Sequence, residues 1–448
     1  MLDPLNLIPV IATNLRRNHR DFLNYQRRGL WLTGEYGMMK METTIWQPSL
    51  SEDKAMNRMK KLMTLLLAAS LLACCGAGLA EAPSGQNVEL FAVNVGKGDA
   101  LLVRVDDCVC LIDTGKAWAR GRVLAAMSAM GVDALDAVFI THTDDDHVGG
   151  LEWLADSDIP VGAWYASGMF VEVKAEKHPA AKAAQARGQS VVWLTRGDVV
   201  PLGDTGAVFN VLAPSVLMQD KDDNNSLVMM LETDQGRMLF TGDMELPQEA
   251  ELLSKGDDLS CAVLKAPNHG DDDTLSERFA EACAPQVAVI STDSYEKPGT
   301  PDPWVLSRLA AVGASCYVTQ DSGLGIRVTL RDGAAAVAEV PVDAPLATGV
   351  VIESVKPGDD LITLHNDGAA CDLTGWYLFS DKGEEIFPFP DGCVLEAGAR
   401  VTVGTKSSPS GGYDLLWNDK KVVHKSKADT IILYDAVGRS VSSLDNGN

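Results

Sequence analysis

Apolar and polar positions change rhythm along the chain. From residue 88 to about residue 340, short runs rich in Val, Ile and Leu read as strands: ELFAVNV, ALLVRV, CVCLIDTG, AVFITH, AVFNVLAP, SLVMMLET, RMLFTGD, CAVLKAP and VAVIST. Between them, helical spacing of apolar residues marks 121–130, 149–155, 173–186, 247–253, 275–283 and 304–311. Strands that end in polar residues, with helices interspersed, predict a layered α/β domain over residues 83–340. Residues 341–348 (PVDAPLAT) read as a linker. Beyond it the helical period disappears. Runs VVIESV, LITLHN, WYLFS, RVTVG and TIILYD, separated by turn residues, predict a small β-sandwich over 349–448.

The N-terminal pattern is of another kind. From Met59 the chain reads MKKLMTLLLAASLLACCGAGLAEAP, two lysines, a short apolar run and small residues, which is the layout of a signal peptide over 59–82. The apolar run is shorter than the roughly 20 residues a bilayer span needs, so the mature chain is expected to have no transmembrane span. Leu71-Leu72-Ala73-Cys74 resembles a lipoprotein box. The expected location is therefore extracellular or cell-surface, either freely secreted or anchored by lipid at Cys74. A signal peptide belongs at an N-terminus, so residues 1–58 are expected to be a mis-called upstream stretch, with Met59 or Met56 the true start.

Charge and cysteine content narrow the chemistry. Lys and Arg number 38 against 62 Asp and Glu, a net charge of -24. That balance disfavours broad, sequence-independent nucleic-acid binding, which relies on many Lys and Arg contacts to phosphate. It leaves room for a nucleic-acid substrate held by metal ions and a few local cations. The nine cysteines form no CxxC pair, so a zinc knuckle is unsupported. Export permits disulfides, and Cys371 with Cys393 is the first pair to test.

One segment concentrates reactive groups. His142-Thr143-Asp144-Asp145-Asp146-His147 follows the strand-like AVFI and precedes Val148-Gly149-Gly150. Two imidazoles and three carboxylates within six residues would repel or desolvate badly without a cation, which points to a metal site.

This pattern resembles the HxHxDH signature of the metallo-β-lactamase superfamily, with Asp144 in place of the middle His. The HxDxDHxGG variant is similar to the extracellular hydrolase domain of the competence protein ComEC family. Other segments match in order. Residues 95–100 (VGKGDA) resemble that family's VGQGD turn, with Lys97 for Gln, and Leu111-Ile112-Asp113-Thr114-Gly115 resembles the first superfamily motif. Asn224-Asn225-Ser226-Leu227 resembles an NxS segment, Phe240-Thr241-Gly242-Asp243 the LTGD motif, and residues 264–270 (LKAPNHG) the LKxxHHG motif. Residues 88 to about 335 carry the resemblance, and it implies an αββα sandwich.

The resemblance also implies a ligand set for two divalent metal ions, zinc or manganese. His142, Asp144 and Asp243 are expected on one, and Asp146, His147, Asp243 and His269 on the other. Asp99 and Asp113 are expected to give structural support. Asp146 is also the expected proton acceptor, while Lys265 and Ser226 are read either as contacts to a substrate phosphate or as structural residues. His19, His178, His365 and His424 are read as non-ligands. Two positions depart from the pattern: Asn268 stands where relatives carry a first His, and Thr300 replaces the His of a GHP motif. No His lies between His178 and His269, so the third-motif His of true β-lactamases is absent and β-lactam hydrolysis is not expected.

Residues 349–448 resemble a lamin tail domain, an immunoglobulin-like β-sandwich, through residues 350–354, 364–366, Asp372-Leu373-Thr374-Gly375-Trp376, 389–392 and 432–435. Such a module implies tethering to a substrate or to the cell envelope. Lys420, Lys421, Lys425 and Lys427 form a local basic cluster, read as a solvated loop in preference to a polyanion contact. The reading is a secreted metal-dependent hydrolase acting on a phosphodiester or nucleic acid. The alternatives are hydrolysis of another ester, such as a cell-wall phosphoester or thioester, and a surface binding protein with a weakened site, which Asn268 and Thr300 favour.

Overall fold

A computed structural model describes residues 85–170, 175–218, 222–342, 348–382, 385–418, 421–423, 426 and 428–447. The expected upstream stretch, the signal peptide, most of the linker and three of the four C-terminal lysines lie outside these residues. Among the described residues no helix is long and apolar enough to cross a membrane.

The first part of the chain forms β1 (Val88–Val93), β2 (Leu101–Val105), β3 (Cys108–Ile112), α1 (Arg120–Met130), β4 (Leu135–Ile140), α2 (Asp145–Val148), α3 (Leu151–Asp156), β5 (Val161–Ser167), α4 (Pro179–Ala186) and β6 (Val191–Leu194). There follow β7 (Val199–Pro201), β8 (Val208–Ala213), β9 (Val228–Thr233), β10 (Gly236–Phe240), α5 (Leu246–Ser254), β11 (Val263–Lys265), α6 (Glu277–Cys283), β12 (Val287–Ile290), α7 (Pro303–Ala311), β13 (Ser315–Val318), β14 (Gly325–Arg331) and β15 (Ala334–Val340). One sheet runs β15-β14-β1-β2-β3-β4-β5-β6 and the other β13-β12-β11-β10-β9-β8-β7.

The period of two along each strand builds the layers. Leu90, Val103, Cys110 and Phe139 point inward from the first sheet and meet Phe209, Met229, Leu231 and Phe240 from the second. The alternate residues Phe91, Leu102, Leu111 and Val138 pack under helices α1, α3 and α4, through Val123, Met127, Leu154 and Ala184. On the far side, Met230, Leu239 and Leu264 pack under α5, α6 and α7, through Leu252, Phe279 and Leu309. The result is an αββα sandwich. Each large side chain so removed from water contributes about 1.5–3 kcal/mol.

Both sheets change character at their centre. Strands β14, β1, β2 and β3 pair antiparallel, whereas β3, β4, β5 and β6 pair parallel. The second sheet repeats the change, antiparallel from β7 to β10 and parallel from β10 to β13. Parallel strands end side by side, so the loops after β3, β4, β10, β11 and β12 emerge together, where open α/β sheets place their sites.

The C-terminal part comprises β16 (Val350–Lys356), β17 (Leu361–Asn366), β18 (Cys371–Asp372), β19 (Tyr377–Ser380), β20 (Glu385–Pro388), β21 (Val394–Leu395), β22 (Arg400–Thr405), β23 (Leu415–Trp417), β24 (Thr430–Tyr434) and β25 (Ser440–Asp445). Sheets β16-β17-β22-β23 and β20-β19-β24-β25 enclose Ile352, Leu364, Trp376, Leu378, Trp417 and Leu433, a β-sandwich as expected.

Three sequence expectations are corrected. Of the helix expected over 173–186, the described residues form a 3-10 turn at Ala175–Lys177 and an α-helix from Pro179, where His178 Nδ1 accepts from Ala180 N and the proline fixes the first turn. Strands β5, β6, β7, β13, β14 and β15 were absent from the sequence reading. The seven described cysteines are free thiols; Cys371 pairs with Leu395 in the ladder, which puts Cys393 out of register with it.

Candidate metal centre

Strand β4 is buried apart from Asp136 and ends against Thr141, whose N and Oγ1 donate to the two carboxylate oxygens of Asp113 at 2.8 and 2.7 Å. Asp113 terminates β3 with a left-handed backbone (φ 55). Its Oδ2 also accepts from His147 Nδ1 at 2.8 Å, which leaves His147 Nε2 facing the site. The short helix α2 begins after Asp144, whose side chain caps no helical N–H. This one turn places Asp146 toward the cleft and His147 inside it.

The second sheet supplies the opposite wall. Asp243 follows β10, and its backbone N donates to Ser226 Oγ at 3.0 Å. After β11 the chain passes through Asn268 (φ 41) and His269 (φ 55), two consecutive left-handed residues that drive the imidazole inward. His269 Nδ1 donates to the carbonyl of Ser291, beyond β12, at 2.7 Å.

Each of these two histidines therefore spends its Nδ1 proton on a fixed acceptor and turns Nε2 inward. Nε2 of His147 and Nε2 of His269 lie 3.2 Å apart. Asp243 Oδ2 sits 3.3 Å from the first and 2.8 Å from the second, and Asp146 Oδ2 is 3.5 Å from His269 Nε2. Beside them, His142 Nε2 is buried without a hydrogen-bond partner, 3.9 Å from both Asp243 Oδ2 and Asp223 Oδ1. The potential ligand atoms fall into two groups, Asp99 with His147, Asp243 and His269, and His142 with Asp144 and Asp223.

A proton can satisfy one contact among converging lone pairs, but a cation can satisfy several. The charge balance points the same way. Burial opposes a charge on His147, yet Asp243 and Asp113 outweigh it and hold the imidazole well above its ordinary value. Burial likewise opposes ionisation of Asp243, but His147, His269 and Lys265 hold it well below the usual carboxylate range. Asp146 is pulled down to about 2, against burial, by His147, His269 and Lys97. His142, desolvated and next to His147, is lowered and favours the neutral form that ligates. Asp243 Oδ1 and Asp99 Oδ1 are also buried without hydrogen-bond partners. Orphan acceptors, neutral imidazole and clustered carboxylates together fit divalent cations.

The sequence-expected residues are thus brought together, with differences in position. Lys265 is fully buried; its ammonium is salt-bridged to Asp99, donates to the Gly242 carbonyl at 3.1 Å and lies 3.5 Å from Asp243 Oδ1. The two carboxylates overcome its burial and keep it charged. Ser226 is also fully buried, with Oγ 3.5 Å from His142 Nδ1. Thr300 turns away to Thr292, at 2.8 Å between hydroxyls. Asn268 lines the cleft beside Asp273, at 3.4 Å.

The sequence reading missed Asp223, Lys97 as a site residue, and Lys297. Asp222 accepts from Thr143 N at 3.0 Å, and this link carries the neighbouring Asp223 to His142. The signal was present as the acidic pair preceding Asn224. Lys97, from the turn after β1, sits 2.5 Å from Asp146 Oδ2. Lys97 and Lys297 line one cleft with Asp144, Asp223, Asp243 and Asn268. Lys116 pairs with Glu296 at the edge, its ammonium lowered to about 8 by burial.

Parts of the chain are similar to known proteins. Residues 93–294 match the metallo-beta-lactamase superfamily and residues 344–448 the lamin tail domain. ComE operon protein 3 of Bacillus subtilis (strain 168) is 28% identical over 253 residues, 52% of this chain and 32% of that protein. Competence protein ComA of Neisseria gonorrhoeae is 30% identical over 232 residues, 51% and 30% respectively. The chain thus spans about a third of the length of these curated relatives. Among solved structures, the metallo-beta-lactamase fold protein YhfI from Bacillus subtilis is 13% identical, covering 56% of this chain and all of that one, with a TM-score of 0.37.

Proposed function

We propose that this chain, which carries a metallo-β-lactamase-superfamily domain followed by a lamin tail domain, is an exported hydrolase of phosphodiesters that works with two divalent cations. The observation that carries the proposal is the convergence of His147 Nε2, His269 Nε2 and Asp243 Oδ2, beside the unpartnered His142 Nε2. One cation would be held by His142, Asp144, Asp223 and Asp243, the other by Asp146, His147, Asp243 and His269. Such ions, when bound, supply Lewis acidity toward a phosphoryl oxygen and bring the ionisation of water near neutral pH. A ligand set with more carboxylates than imidazoles is hard, so manganese competes with zinc.

The chain's own groups have separable tasks. Asp113 holds the imidazole of His147 in one tautomer, and the Ser291 carbonyl does the same for His269. Ser226 and Lys265 are buried behind Asp243 and contact it, which supports the structural reading of both. Lys97 and Lys297 are the cations that reach the cleft, placed to meet the non-bridging oxygens of a phosphodiester. The word competence in the name of the Neisseria gonorrhoeae relative supports a nucleic-acid strand as that phosphodiester. Local lysines can hold a few phosphates although the chain as a whole is acidic.

The test is hydrolysis of bis(p-nitrophenyl) phosphate, single-stranded DNA, a thioester and a β-lactam by the manganese- and zinc-loaded protein. Cleavage of the first two, with loss on chelation and recovery on adding metal, is the expected result. Turnover of the thioester alone would replace the phosphodiester reading with the other-ester reading. Binding of DNA without turnover of anything would make this a binding protein.

A further inference from the structure

The lamin tail domain is packed onto the part of the hydrolase that shapes its cleft. Along β19, Leu378 and Ser380 turn into the sandwich core, so Tyr377 and Phe379 point to the other face. An aromatic on the outer face of an isolated sandwich would be wet, yet Tyr377 is 4% exposed. It is stacked on Tyr434 at 5.0 Å and lies 5.1 Å from the ring of Trp118 in the hydrolase.

Trp118 and Arg122 convey this contact to the site. Arg122 Nη2 donates to the Tyr377 hydroxyl at 3.1 Å, and its Nη1 donates to the carbonyl of Asn94 at 2.7 Å. The guanidinium lies 5.4 Å from the Trp118 ring centre. Asn94 opens the turn that presents Lys97, and its Oδ1 accepts from Gly96 N at 3.3 Å. Trp118 lies two residues after Lys116. The packing is intimate at Gly121, where a Cβ would lie 1.7 Å from the carbonyl oxygen of Ala436, so the first turn of α1 admits no side chain there. Arg120 adds a bond to Asp391 at 2.7 Å.

We infer that Tyr377 of the lamin tail domain is a positioning residue for the hydrolase, holding the segments 94–99 and 116–118 so that Lys97 faces the substrate's phosphate. The lamin tail domain then forms part of the hydrolase's support. The role of Lys97 rests on the phosphodiester reading; the restraint on the two segments does not.

The experiment uses the full chain and compares Tyr377→Ala, Tyr377→Phe and Arg122→Lys with the wild type. Amide hydrogen exchange over 94–118 is measured beside kcat and KM for bis(p-nitrophenyl) phosphate. Loss of the ring pair in Tyr377→Ala should speed exchange in both segments, and raise KM, by about three- to ten-fold with kcat little changed. Tyr377→Phe keeps the ring and should lie close to wild type, while Arg122→Lys should loosen 94–99 even if Tyr377→Ala fails to fold. Unchanged exchange in 94–118 in both Tyr377→Ala and Arg122→Lys would overturn the inference. Faster exchange without any phosphodiester turnover in the wild type would uphold the restraint and sink the proposed substrate instead.

Discussion

His147 and His269 direct their Nε2 atoms at each other across 3.2 Å, with Asp243 Oδ2 against both. The two imidazoles come from different sheets, and each is fixed from behind by an acceptor for its Nδ1 proton. Nothing in hydrophobic packing favours that burial of ionisable groups, since each costs stability unless it is paired. The arrangement makes sense as a ligand set whose cations restore what the fold gives up.

The first prediction concerns the support behind His147. Asp113→Asn keeps the shape but replaces an acceptor with an amide, so the Nδ1 proton and Thr141 lose their shared carboxylate. Metal affinity should fall about 10–100-fold, measured by competition with a chromophoric chelator. The fold should survive, visible as an unchanged far-UV spectrum.

Gly98 tests the approach of the β1–β2 turn to α2. It has φ 146, and a Cβ there would lie 2.4 Å from the Asp146 carbonyl oxygen. Gly98→Ala should cost about 1–3 kcal/mol in chemical denaturation. It should also lower turnover by displacing Asp146. Wild-type stability would show that the turn does not press on the helix.

Lys97 is the proposed contact to the substrate's phosphate. It stands where the resembling family has Gln, and its ammonium reaches Asp146 from the mouth of the cleft. Lys97→Ala should raise KM for an anionic phosphodiester about ten-fold or more and weaken the salt dependence of oligonucleotide binding. KM for an uncharged ester should hardly move. Equal losses on both would place Lys97 in the metal support.

Much of the site was legible because its residues sit in short ordered motifs at strand ends. His142, Asp144, Asp146, His147, Asp243 and His269 can each be tied to such an end from the sequence alone. Asp223 could not, because its place depends on Asp222 being bound by Thr143, a contact between residues 79 apart in sequence. Lys265 was ambiguous for a related reason: only the fold shows that its ammonium ends on Asp99 inside the wall. In the fold, β15 was illegible since its AAAVAEV run has helix-forming composition and becomes a strand by pairing with β14. The C-terminal sandwich was readable as a module, but its seat on α1 was not, since Gly121 reads as an ordinary helix start until Ala436 is found against it.

The most direct test of the central claim is metal per chain in the wild type, His269→Ala, Asp243→Ala and Asn268→Ala, after dialysis against manganese or zinc. Two ions are expected in the wild type and in Asn268→Ala, since Asn268 is bonded to Asp273 and is not among the proposed ligands. His269→Ala should keep one ion through His142, Asp144 and Asp223. Asp243→Ala should lose both, because its carboxylate faces both groups. An Asp243→Ala protein that retained two ions, or a wild type that bound none, would contradict the account.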